Sequence, residues 1–144
     1  MGGVTDDRAT GDEERAARMR LARLAEPGDE RLGAAVRATS AREVLDRIEC
    51  DDRTLPGVAH YRARLTQDPA ADHDRLAEIG GRFLVPGDGE WPTQLMALEA
   101  AAPWGLFVLG ADLRLAAVRS VAVVGARAAT QYGLHVASEL ATDL

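Results

Sequence analysis

The run VAVVGARAATQYG, residues 121 to 133, constrains the fold more than any other stretch. Val121 to Val124 are apolar and end at Gly125, and a helical pattern begins at about Ala129. Side chains alternate along an extended chain, so Val121 and Val123 face one way, Ala122 and Val124 the other. Both faces are apolar, which predicts a central strand of a parallel sheet covered on both sides. Beyond it, Leu134, Ala137, Leu140, Ala141 and Leu144 fall on one helical stripe.

The residues upstream repeat the alternation. A helix with Leu76 and Ile79 ends at Gly80-Gly81. RFLVP is a short strand stopped by Pro86, and GDGE is a turn. Pro92 suits the first position of a helix carrying Leu95 and Leu98. WGLFVLG, 104 to 110, reads as a buried strand, and the helical piece DLRLA leads to SVAVVG. Strands alternating with helices predict an α/β domain over 72–144. A doubly wound domain needs further strands after Leu144, so the chain is expected to be the N-terminal fragment of a longer protein.

Residues 13–66 read as a small helical domain. Ala17, Leu21, Leu24 and Ala25 follow helical spacing until Pro27-Gly28. Asp29 caps a short helix with Leu32, Ala35 and Val36. Ser40 and Glu43 form a capping box ahead of Val44, Leu45 and Ile48. LPGV then opens a helix with Val58, Tyr61 and Leu65 on one stripe. Residues 1–12, acidic and without an apolar core, read as a disordered lead-in and not a signal peptide. Residues 67–71 read as a linker.

The turn at Gly125 is suited to an anion. A helix N-terminus offers free N–H groups and the positive end of its dipole. Gly125 removes the Cβ that would hold a phosphate off the backbone, and Arg127 adds a planar donor fork. Thr130 is placed to cap the helix or donate a hydroxyl, Tyr132 to stack or pack, and Gly133 to permit close approach. The same spacing also fits a plain chain reversal with Arg127 in an ion pair. Spacing alone leaves both open. The dinucleotide fingerprint G-x-G-x-x-G is not met, since Arg127 and Thr130 stand at its second and third glycines.

Charge narrows the choice. All 17 basic side chains are arginine, which excludes a Walker-type loop and lysine-based catalysis. Residues 1–99 hold 14 Arg against 20 Asp and Glu, so they carry the whole net charge of −6. Any phosphate binding must be local and cannot come from bulk attraction. Cys50 is alone and His60, His73 and His135 lack ligand spacing, so no disulfide, metal or other cofactor is expected, in a reduced cytoplasmic setting. No apolar run approaches the roughly 20 residues of a membrane span.

VAVVGARAATQYG resembles the Gly-Ser/Ala-Arg…Thr-x-Tyr-Gly segment of the DNA-processing protein A family, also called DprA or Smf. WPTQLMALEAAAPWGLFVLGADL resembles that family's approach to the same strand, a Trp-Pro-x-x-Leu helix leading to a Leu-Phe-Val-x-Gly strand. AEPGDERLGAAV and VPGDGEWP are similar to members from high-GC actinobacteria. The resemblance spans roughly 13–144. It implies a sterile-alpha-motif-like (SAM-like) helical domain followed by a Rossmann-like domain. It further implies single-stranded DNA binding and protection, loading of a RecA-type recombinase during transformation, homodimerisation when full length, and no catalysis. Gly125, Ala126 and Arg127 inherit the phosphate-pocket role, with Thr130, Tyr132 and Gly133 beside them. Ala126 stands where serine is common, removing one hydroxyl. The family's Ser-Gly-rich loop after the next strand, and its dimer and recombinase regions, are absent from these residues.

Weaker signals point elsewhere. LPGVAHYRA, 55 to 63, resembles a helix-hairpin-helix, yet Ala59 replaces its second glycine and Asp51 and Asp52 would repel phosphate. Trp91 and Trp104 could stack on bases, although their places beside prolines suit core anchors. One competing function is a Rossmann-like enzyme acting on nucleoside phosphates, whose Pro-Gly-Gly-x-Gly-Thr-x-x-Glu pattern this chain lacks. Another is a helical protein-interaction module over 13–66.

Overall fold

The computed structural model describes residues 4–65, 69–114, 120–125 and 128–143, with the side chains of 4–10 and 69–72 left aside. The chain forms two compact units, Met1–Arg114 and Leu115–Leu144. The first contains α1 (Val4–Leu24), α2 (Glu30–Ala38), α3 (Ala41–Glu49), α4 (Val58–Arg62) and α5 (Pro69–Glu78). They are followed by β1 (Arg82–Leu84), a 3-10 segment (Thr93–Ala101) and β2 (Leu106–Val108).

Local chemistry sets the helix starts. Asp29 Oδ1 accepts from the N–H groups of Arg31 and Leu32, each at 3.1 Å. Ser40 Oγ accepts from Glu43 N–H at 3.1 Å, the expected half of the capping box. The next two free donors of α3, Ala41 and Arg42 N–H, go instead to the carboxylate of Glu14 on α1, at 3.1 Å each. A capping carboxylate from another helix therefore fixes where α3 begins against α1. α1 itself reaches back to Val4 and crosses the residues expected as a lead-in. No proline interrupts it, and Gly11 is held within the helix.

The expected apolar stripes converge on one core. Ala17, Leu21, Leu24, Ala25, Leu32, Val36, Val44, Leu45, Ile48, Val58 and Tyr61 are all buried, with Ala35 and Leu65 packed against them. Trp104 joins this cluster from beyond the helices. It can do so because the 3-10 segment lies close on α2. A Cβ at Gly33 would sit 1.8 Å from the carbonyl oxygen of Ala100, so only glycine allows the two backbones to approach.

Three sequence expectations are corrected here. The sheet is antiparallel, not parallel, with Arg82 opposite Val108, Phe83 opposite Phe107 and Leu84 opposite Leu106. The chain returns from β1 through the Gly87–Gly89 turn and the 3-10 segment, not through the long helical crossover that parallel pairing needs. Gly105 makes room for the Phe83 ring, which an added Cβ would meet at 2.1 Å. Secondly, the helix expected after Pro92 is a 3-10 segment with no buried residue, and Leu98 is 51% exposed. Thirdly, residues 120–125 form no strand, and 121–125 are exposed. A strand exists only through ladder partners, and the described sheet consists of β1 and β2 alone. The result is a mixed helical fold with a small sheet, compatible with the α/β class.

In the second unit, α6 (Gln131–Asp143) follows the glycine-arginine turn. It starts two residues later than the sequence pattern suggests, because Thr130 serves as its cap.

Candidate nucleic-acid interface

Thr130 fixes the start of α6. Its Oγ1 accepts from Gly133 N–H at 3.2 Å, and its carbonyl accepts from Leu134 N–H at 3.0 Å. That is the geometry of an N-cap, and it satisfies one of the four donors that a helix start leaves free. Among the described residues, nothing accepts from the N–H groups of Gln131 and Tyr132. The helix dipole makes the start of α6 electropositive.

Of the other expected residues, Tyr132 and Gly133 lie in the first turn of this helix. Gly125 is exposed, and a Cβ there would meet nothing within 4 Å. Neither packing among the described residues nor a left-handed backbone calls for glycine at this position. Tyr132 is 77% exposed, with its ring available at the helix start. Gly133 is less distinctive, since an added Cβ would lie 3.5 Å from Thr130 Oγ1, an ordinary contact. Ala126 and Arg127 lie outside the described residues. Thr130, Tyr132 and Gly133 thus lie together at the start of one helix, and Gly125 precedes it in sequence by six residues.

The helix-hairpin-helix resemblance finds less support. Gly57 is left-handed at φ 82° and precedes a helix of five residues. The neighbouring arginines are engaged by acids: Arg62 with Asp51 at 3.0 Å, and Arg47 with Asp52 at 2.8 Å. Hydrogen bonds from the Thr54 hydroxyl, and then from Arg47, hold Asp52 down to about 2. This stretch therefore keeps its negative charge beside the turn that would have to approach a phosphate. Trp91 and Trp104 are each 6% exposed and serve as core anchors, not as stacking platforms. Among the described residues no group of three metal-ligating side chains occurs. Among the described residues, no helix is long and apolar enough to cross a membrane.

One charged cluster was not legible in the sequence. Arg15, Arg82 and Arg114 line a shallow pocket of about 430 Å³ with Asp88, Glu90 and Asp112. Each arginine is paired, with Asp88, Glu90 and Asp112 respectively. Glu90 also accepts from Leu113 N–H at 3.0 Å. The cluster ties the hairpin to α1 and to the chain after β2. Its members lie up to 99 residues apart, and no local pattern announces them.

Comparison with known proteins bears on the same segment. Residues 82–144 match the sequence profile of the family described as DNA recombination-mediator protein A. Two curated proteins of Mycobacterium tuberculosis, from strains CDC 1551 / Oshkosh and H37Rv, carry the name DNA processing protein DprA and are similar to the chain. Each is 40% identical over 136 residues, covering 86% of this chain and 35% of the relative. The chain thus spans about a third of the length of these relatives. No solved structure matches it.

Proposed function

We propose, from the premise that the chain belongs to the DprA family, that the protein takes part in DNA processing by binding single-stranded DNA. The observation that carries this reading is the start of α6, where Thr130 caps the helix and the tyrosine at its first turn is exposed. Gly125 and Arg127 precede it, and together they would hold one phosphate, with the Tyr132 ring against a base. The proposed role is holding a strand and not chemistry. In the whole protein, Rossmann-like around this turn and SAM-like over 13–66, the bound strand would be protected and passed to a RecA-type recombinase in transformation. That protein would act as a homodimer in the cytoplasm.

Binding through phosphates and stacking discriminates by strandedness. In a chain of the relatives' full length, a fluorescent oligo-dT should bind far more tightly than a duplex of equal length, and its affinity should fall as salt rises. Equal affinity for the two, or indifference to salt, would overturn the reading.

A further inference from the structure

Glu99 interrupts the 3-10 segment with φ 50° and ψ −116°. That combination crowds a Cβ against the backbone, and glycine is the residue that adopts it readily. The Glu99 side chain is exposed and, among the described residues, makes no hydrogen bond or ion pair that would compensate. The cause lies one residue on. The Ala100 carbonyl oxygen is pressed against Gly33 of α2, whose Cα–H points where a Cβ would lie 1.8 Å from that oxygen. The turn at Glu99 is what brings the carbonyl down onto α2.

Little holds this seat in place. The 3-10 segment has no buried residue, and Met96 and Leu98 are 46% and 51% exposed. A C–H···O contact stabilises by no more than the strain of one such residue costs. The two ends, by contrast, are fixed. Trp91 is buried with Leu84 and Val108, and Leu95 packs on them. Trp104 is buried in the helical core, and Arg18 Nη1 donates to its carbonyl at 3.2 Å. Between the segment and α2 lies a cavity of about 100 Å³, lined in part by Arg18, Val36, Arg37 and Trp104. The middle of the segment therefore does not pack down solidly on the helix beneath it.

We propose that residues 96–101 form a sprung strap, held at two tryptophan anchors and closed over α2 against the strain at Glu99. The strap opens without unfolding the helices. Glu99 relaxes, the Ala100 carbonyl leaves Gly33, and the flank of the core at Val36 and Trp104 is bared. The strap thereby sets access to the cavity on α2, and it stands or falls independently of the α6 turn.

Thiol labelling of the intact chain tests it. Cys50 is exposed and is the sole cysteine, so Cys50→Ser clears the background, and Val36→Cys places a thiol beneath the strap. Its labelling rate should stay constant through urea concentrations below the unfolding transition, because a local opening bares little surface. Adding Glu99→Gly should slow labelling several-fold, since glycine carries no strain in the closed state, whereas Glu99→Ala should leave the rate unchanged. Gly33→Ala should speed labelling at least about tenfold with the circular-dichroism spectrum retained, because alanine favours α2 while its Cβ expels the Ala100 carbonyl. In a chain with Val36 intact, Gly33→Ala should also raise acrylamide quenching of tryptophan fluorescence. Labelling that follows global unfolding, equal rates for Glu99→Gly and Glu99→Ala, or a Gly33→Ala chain whose labelling and quenching match the original would overturn the proposal.

Discussion

Asp29 shows how much one carboxylate settles. It caps α2 through the N–H groups of Arg31 and Leu32 and accepts the Tyr61 hydroxyl at 2.7 Å. Burial pushes its pKa up, but the hydrogen bonds from Tyr61, Leu32 and Arg31 outweigh that and leave it lowered. The same burial, with Asp29 as acceptor, pushes the Tyr61 hydroxyl up to about 12. A carboxyl with a lowered folded pKa stabilises fully above the ordinary carboxylate range and loses that contribution as pH falls through the folded value. Asp29→Ala should therefore cost about 1–2 kcal/mol at neutral pH in urea unfolding. The gap to the original chain should narrow as pH drops below about 4. A gap that stays constant down to acid pH would show that the ionised carboxylate is not what stabilises the cap. The cap itself is legible in Pro-Gly-Asp before an apolar run, because capping is local. Tyr61, 32 residues away, is not.

Among elements, the helices were the legible part, because a stripe at 3.6-residue spacing is written wholly within one helix. The sheet was not, because pairing depends on partners distant in sequence. RFLVP and WGLFVLG do contain β1 and β2, yet nothing in either run told that they lie antiparallel. The run at 121–124 had the stronger apolar pattern, and Val124 is nevertheless 89% exposed. An ion pair ties the hairpin to α1 beside the packing of Trp104 in the helical core. Arg15 donates from both η nitrogens to Asp88 at 2.7 Å each, and from Nη1 to the Phe83 carbonyl at 2.8 Å. Asp88 also accepts from Val85 N–H at 2.8 Å, and the Arg15 hydrogen bond is the main cause of its lowered pKa. Because Arg15 is partly exposed, Asp88→Ala should cost only about 1–2 kcal/mol, and high salt should reduce the difference. Arg15→Lys should retain part of the tie, since an ammonium keeps the charge and loses the fork. Urea melts of the three proteins at two salt concentrations check this, and an Asp88→Ala protein as stable as the original would show that apolar packing alone seats the hairpin.

At the scale of the whole molecule, charge is the main constraint. A chain with a net charge of −6 cannot collect DNA by its overall field, so the proposed binding of a single strand would rest on a few built contacts. The turn from Gly125 into α6 is the place where the sequence and the capped helix start coincide, and Arg127 is the one full positive charge that the sequence puts there. The Thr130 cap was legible, because capping is a local device. The ion-pair cluster around Arg82 was not, since it joins residues far apart in the chain. One charge-assisted phosphate contact is worth on the order of 1.5–3 kcal/mol. The most direct measurement is the affinity for oligo-dT of Arg127→Ala, in a protein of the relatives' full length, titrated across salt concentrations. Binding should weaken roughly ten- to hundredfold, alike for different base sequences, and the salt slope should shrink by about 0.7 with folding unchanged. An Arg127→Ala protein that loses its fold, while whatever remains folded binds oligo-dT as before, would contradict the claim that this turn holds a phosphate.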